Sequence, residues 1–151
     1  PFEQLARDRG VSLSLKSEAD GVALFADRSD LRRACQALIE NAVKFVHDDG
    51  CVRITVVPEE EGLRFCVSDD GIGVDPRYQR RIFEQFFQVE DPLTRHHGGA
   101  GLGLFVARSV IEAHGSRIEV SSQLGHGADF SFMLPIYRPE HSGLATETAN
   151  D

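Results

Sequence analysis

Asn41 and Lys44 stand three residues apart in the stretch LRRACQALIENAVKFV, and with Ala37 they form a stripe spaced i, i+4 and i+7. On one helix face, an asparagine carbonyl can ligate Mg²⁺ and a lysine ammonium can meet phosphate. A solvated helix face has the same spacing. A second stretch, VSDDGIGVDP, sets Asp69 at the end of an apolar run, with Gly71 and Gly73 close behind. A carboxylate beside such bare backbone can accept a hydrogen bond from an exocyclic amine, as on adenine. An ordinary Asp-Gly turn reads the same way. The third stretch is HHGGAGLGLFVARSVIEAHG, where Gly98, Gly99, Gly101 and Gly103 crowd together ahead of a helical pattern. Glycines before a helix N-terminus let backbone N–H groups approach phosphate. They also describe a flexible loop that happens to precede a helix.

The elements that must position these residues are read from periodicity. Leu31, Ala34, Cys35, Leu38, Ile39, Ala42, Val43 and Val46 repeat at helical spacing, with Asp30 as the expected N-cap. LFVARSVIEAH, residues 104–114, predicts a helix stopped by Gly115, with His114 at its C-terminus. DPRYQRRIFEQFF predicts another, with Asp75 as N-cap and Pro76 in the first helical position. VSLSLKS (11–17) alternates as a half-buried strand does, and VALFAD (22–27) reads as a short strand. CVRITVVP (51–58) and LRFCVSD (63–69) flank EEEG as a hairpin. RIEVSS and DFSFMLP read as strands around the turn QLGHGA. Residues 88–98 are polar and without period, the pattern of a mobile loop, and the chain from Tyr137 reads as a flexible tail. Strands and helices do not alternate one for one, so the expected class is α+β. The expected architecture is a two-layer sandwich, with a mostly antiparallel mixed sheet packed on three helices.

Composition removes several classes of function. A net charge of −8 disfavours nucleic acid as the main partner, since phosphate backbones select basic surfaces. No Gly-Lys-Ser/Thr occurs, which excludes a P-loop, and the spacing G-x-G-x-G of Gly99, Gly101 and Gly103 is not the dinucleotide fingerprint. Cys35, Cys51 and Cys66 form no CxxC pair and lie in apolar runs, so they are expected as reduced core cysteines of a cytoplasmic protein. No run has membrane-spanning length, which leaves a membrane only to segments upstream. The chain opens at Pro1 and holds one methionine, Met133, as expected of a piece of something longer.

The motifs ENAVKF, DDGIG, IFEQFFQ, GGAGLGL and GHGADF follow one another in a single order. That succession resembles the catalytic, ATP-binding domain of two-component sensor histidine kinases: its N box, G1 box, F box, G2 box and final Gly-x-Gly turn. The resemblance runs from about Asp27 to Pro135. It implies the Bergerat-type ATP-binding fold, with ATP and Mg²⁺ held between the long helix and a lid. By matching motif, Asn41 would ligate Mg²⁺ and Lys44 would contact phosphate. Asp69 would bond the adenine amino group, with Gly71 and Gly73 letting the base approach. Gly99, Gly101 and Gly103, with Leu102 and Leu104, would form the phosphate-side hinge and seat at the start of the following helix. Phe83, Phe86 and Phe87 match the F box, residues 88–98 the lid, and Arg95 is expected to reach the γ-phosphate.

The resemblance also implies partners. None of His47, His96, His97, His114, His126 and His141 lies in the H-E/D-x-x-x-P setting of a phosphoacceptor. The acceptor is therefore expected on a helical dimerisation segment before Pro1, in a homodimeric protein that passes the phosphoryl group to a response regulator. Residues 1–10 would be the connector from that segment, 11–136 the ATP-binding domain and 137–151 the tail. Three positions depart from the family pattern. Ala37 replaces an asparagine, Ala100 a serine or threonine, and Ala128 a threonine. Related hydrolases place a glutamate at the Ala37 slot to activate water, and alanine cannot act as a base. Glu40 lies about 100° per residue around the helix from Asn41, on another face. Transfer to a protein nucleophile is thus favoured over hydrolysis. The alternatives are a serine kinase of the anti-sigma type and a nucleotide-binding scaffold with little catalysis.

Overall fold

The structure is a computed structural model that describes residues 2–89 and 100–137. In chain order its elements are α1 (Phe2–Asp8), β1 (Ser12–Ser17), α2 (Arg28–Phe45), β2 (Cys51–Glu59), β3 (Gly62–Asp69), α3 (Gly103–Ala113), β4 (Glu119–Ser122) and β5 (Ala128–Leu134). A short 3₁₀ turn, Arg81–Phe83, precedes α3.

The apolar stripe of α2 does what its spacing requires: Ala34, Leu38, Ala42 and Val43 have no exposed surface. They meet Ala107 and Ile111 of α3 and the inward side chains Val52, Val67, Phe130, Phe132 and Leu134 of the sheet. Removing this much apolar surface from water is the main favourable term for the fold. Phe83 enters the same core edge-on to Phe130, with ring centroids 6.1 Å apart. The sheet order is β1-β2-β3-β5-β4, with β1 parallel to β2 and every other pair antiparallel. β2 and β3 form the expected hairpin, in which Glu59 pairs with Gly62. The α+β class and the mixed, mostly antiparallel sheet on three helices are therefore as read from the sequence.

Several local expectations are corrected. The N-cap of α2 is Asp27, whose Oδ1 accepts the Asp30 N–H at 2.9 Å; Asp30 instead lies in the first turn, where its charge favours the helix dipole. The segment 22–27 contributes only an isolated bridge, Leu24 to Ile136, because the chain turns away at once to cap α2. β1 forms, but its residues are all exposed rather than half-buried, with Leu15 at 69%. It is an edge strand, and α2 packs over β2 and β3 instead. The stretch from Asp75 to Phe87 is not a continuous helix. Asp75 Oδ1 takes the Arg77 N–H at 2.8 Å, and bonds from Arg81 to Tyr78 O and from Glu84 to Arg81 O tighten the chain into turns. The third helix is α1, inside the stretch read as a connector, and its Ala6 is buried in the core.

Cys35, Cys51 and Cys66 are unpaired and half-buried, and burial pushes the Cys35 thiol up to about 11. Tyr137, read as the first tail residue, donates its N–H to Ala23 O at 2.8 Å. Residues 138–151 lie outside the described residues. Among the described residues no helix is long and apolar enough to cross a membrane.

Gly127 closes the β4–β5 turn at φ +82°, and a Cβ there would run into the Asp69 carbonyl. Gly103 faces open space at ordinary φ. Gly127→Ala is therefore expected to lower unfolding free energy by about 2 kcal/mol or more. Gly103→Ala should leave it unchanged or slightly raised. Urea denaturation of the two variants checks this contrast.

Candidate functional site

The helical period places Ala37, Asn41 and Lys44 along one half-buried face of α2. The Lys44 ammonium lies 5.1 Å from the Phe45 ring centroid, and partial burial lowers its pKa from the ordinary lysine value. Burial disfavours the charged form, so this cation is one that a phosphate would stabilise. The C-terminal carbonyls of α2 need partners from outside the helix. Phe45 O accepts the Ile72 N–H at 3.2 Å, while Arg9 reaches those of Val43, Lys44 and Val46.

Asp69 ends β3, paired on one side with Val52 and on the other with Ala128. Its Oδ1 accepts the Gly71 N–H at 2.9 Å. Burial pushes its carboxyl up to about 6, against the pull of the Gly71 and Ala128 N–H groups; the charges of Asp70 and Asp129 add to the rise. Gly71 is buried, and a Cβ there would strike the Phe45 carbonyl oxygen. Only glycine lets the turn after Asp69 reach the end of α2. Gly73 follows at φ +69°, and the Gly125 N–H bonds back to Ile72 O at 2.7 Å. The structure thus brings the Asp69 turn, the end of α2 and the β4–β5 turn together.

The third part of the site is the start of α3. Gly101 has φ +66°, and its carbonyl accepts the Phe86 N–H at 3.1 Å, tying the F-box segment to this corner. The N-cap position is Leu102, which supplies no side-chain acceptor to the helix. A helix begun this way leaves first-turn N–H groups for an anion. Leu102, Gly103 and Val106 face Arg33, Gln36, Ala37 and Glu40 of α2 across a shallow cleft of about 270 Å³. Leu104 is half-buried and packs its side chain against the core. Gly99, Arg95, His96 and His97, with residues 90–98 of the expected lid, lie outside the described residues.

Ala37 lines this cleft, and Glu40 lines it too, its carboxylate held by Gln36 Nε2 at 3.3 Å. Arg33, Gln36 and Glu40 were not singled out as site residues by sequence reasoning. Their spacing of i, i+3 and i+7 is a polar helical stripe, and that signal could have found them. Among the described residues no three or more His, Cys, Asp or Glu side chains gather as for a metal ion. A magnesium ion suits such a place only with one or two protein ligands, the remainder coming from phosphate and water. Asn41, on a half-buried face, fits that requirement.

Residues 26–138 match the family of histidine kinase-, DNA gyrase B-, and HSP90-like ATPases. The chain is 37% identical over 129 residues to the phosphate regulon sensor protein PhoR of Pseudomonas aeruginosa, covering 85% of this chain and 29% of that protein. It therefore spans well under half the length of this curated relative. Among solved structures, full-length ShkA in complex with AMPPNP is 32% identical, with a TM-score of 0.75 over 89% of this chain and 29% of that one. Histidine kinase ThkA in complex with the response regulator protein TrrA shares the fold at a TM-score of 0.72 and 23% identity, over 90% of this chain and 37% of that one. By the match over residues 26–138 and by these relatives, the chain belongs to the histidine kinase-, DNA gyrase B- and HSP90-like ATPase family, as an ATP-binding catalytic domain of the sensor histidine kinase type.

Proposed function

We infer that this domain binds Mg·ATP and hands the γ-phosphoryl group to a histidine on a helical dimerisation segment of the same protein, for relay to an aspartate of a response regulator. The observation that carries the reading is the bond from Ile72 N–H to Phe45 O. It fixes the carboxylate suited to adenine to the helix that bears Asn41 and Lys44, which is the relation that a ligand engaging all three requires. In this reading Asp69 accepts the adenine amine, Lys44 neutralises phosphate charge, and the first N–H groups of α3 seat a phosphate. Bound Mg²⁺ supplies charge neutralisation on the phosphate oxygens, with Asn41 as its protein ligand. Arg95 reaches the γ-phosphate. Catalysis is positional and electrostatic, since phosphoryl transfer asks little covalent chemistry of the protein.

Alanine at position 37 supports transfer over hydrolysis, because it cannot act as a base; Glu40, which lines the same cleft, is bonded to Gln36 and lies on another helix face than Asn41. The names of the relatives favour a histidine acceptor over a serine one. The whole protein works as a homodimer, with this domain in the cytoplasm.

Calorimetry on the 151-residue chain tests the binding step. Asn41→Ala and Asp69→Ala should each weaken Mg·ATP about tenfold or more. Absence of binding by the parent chain would overturn the reading. In the full-length kinase, Arg95→Ala should slow transfer to the acceptor histidine about tenfold or more with little change in ATP affinity; an unchanged rate removes Arg95 from the machinery.

The Asp69 carboxyl gives a pH signature of its own. Its folded value of about 6 lies above the ordinary 3.8. The native state therefore holds this proton when the unfolded chain has lost it, and stability falls as pH rises between those values. Asp69→Asn should flatten that part of the stability profile. The ionised carboxylate is the better acceptor for adenine, so ATP affinity in the parent should weaken as pH drops below about 6. A profile of ATP affinity that stays flat from pH 7 to 5 would remove Asp69 from base recognition.

A further inference from the structure

Arg9, at the exit of α1, serves a site that is distant in sequence. Its side chain is only 18% exposed. Nη1 donates to Val43 O at 2.7 Å and to Lys44 O at 3.1 Å, Nη2 donates to Val46 O, and Nε donates to Asp48 Oδ1 at 2.7 Å. The Arg9 carbonyl in turn accepts the Asp49 N–H at 3.0 Å. A planar guanidinium can span several helix-end carbonyls at once, and a cation there is also favoured by the helix dipole. The turn that Arg9 holds is the turn that carries Lys44, and Asn41 lies three residues before Lys44 on the same helix. Phe45 O, between the carbonyls that Arg9 takes, belongs to Ile72 of the Asp69 turn.

We propose that Arg9 is a positioning residue for phosphate and metal binding: it fixes the last turn of α2, and with it Lys44 and Asn41, to the segment that enters the domain. The proposal rests on the Mg·ATP reading above. Arg9 touches no ligand; it acts through the backbone carbonyls of Val43, Lys44 and Val46. The orientation of the entering segment and the phosphate half of the site thereby share one side chain. The adenine half meets the same turn through Ile72 but has holds of its own, in the pairing of Asp69 with Val52 and Ala128 and in the bond from the Gly71 N–H to its carboxylate.

Arg9→Lys keeps the charge but cannot make the fork, and Asp48→Asn removes the ion pair while leaving the carbonyl bonds. Asp48 is 76% exposed, so its pair with Arg9 contributes little. Calorimetry on the 151-residue chain at a temperature where circular dichroism shows it folded should find Mg·ATP weakened about fivefold to tenfold in Arg9→Lys. Adenosine, which lacks phosphates, should bind within twofold of the parent, roughly the resolution of such a comparison. Asp48→Asn should leave Mg·ATP within about twofold. Amide exchange at Val46, whose N–H bonds to Ala42 O, should accelerate in Arg9→Lys, while that at Gly71, whose N–H bonds to Asp69 Oδ1, stays as in the parent.

A lowered melting temperature with unchanged Mg·ATP affinity would make Arg9 purely structural and overturn the proposal. Equal losses for Mg·ATP and adenosine, or an Asp48→Asn loss as large as that of Arg9→Lys, would overturn it too. If the parent chain fails to bind Mg·ATP, the nucleotide reading falls alone. Exchange at Val46 then decides the clamp: acceleration in Arg9→Lys supports it, and no change rejects it.

Discussion

An α-helix ends with carbonyls that have no partner of its own, and this domain is organised around where those of α2 go. Arg9 takes those of Val43, Lys44 and Val46 from one side, and Ile72 takes that of Phe45 from the other. A buried helix end without such bonds would be costly. The two segments that supply them are the entry to β1 and the turn after β3. What the backbone demands of a helix end therefore brings the Asp69 carboxylate and the Asn41–Lys44 stripe into a fixed relation. Gly71 is part of the same solution, since any side chain there would hold the turn away from Phe45.

The long periodic elements were legible in the sequence because they bury one face. The α2 stripe, the α3 stripe and the β2–β3 hairpin all follow from the spacing of apolar residues. The stretch from Asp75 to Phe87 misled the same reasoning. It has helical spacing, yet Asp75 bonds locally to Arg77 and Phe83 is drawn into the core against Phe130, so turns prevail over a continuous helix. β1 misled it differently: alternation marked a strand correctly, but burial depends on what lies over the strand, and the helices pack on its neighbours. Of the proposed site, Asn41, Lys44 and Asp69 were assigned by matching motif, since their types and spacing alone equally describe a solvated helix face and an Asp-Gly turn. Arg9 was not, because a guanidinium that reaches carbonyls 34 to 37 residues away leaves no local pattern.

The glycines of the third stretch also separate into two kinds. Gly101 is demanded by its backbone, at φ +66° with Phe87 O 2.9 Å from where a Cβ would sit. Gly103 is crowded by nothing, and so leaves the mouth of the cleft open at the start of α3. One glycine shapes the corner and the other keeps the approach to the helix N-terminus clear. The same pair of roles explains why a tightly bent chain gives way directly to a regular helix.

β1 has one hydrogen-bonded neighbour among the described residues, and its sequence SLSLKS is exposed along its whole length. Such an edge is a template onto which a second strand can add, and Leu13 and Leu15 make that addition attractive. Lys16 stands between Leu15 and the strand end, with its ammonium 2.7 Å from Glu18. A docking strand would have to desolvate this ion pair, so one charged side chain guards the edge against self-association. Lys16 thus protects the open edge of the sheet while standing apart from the residues assigned to ATP.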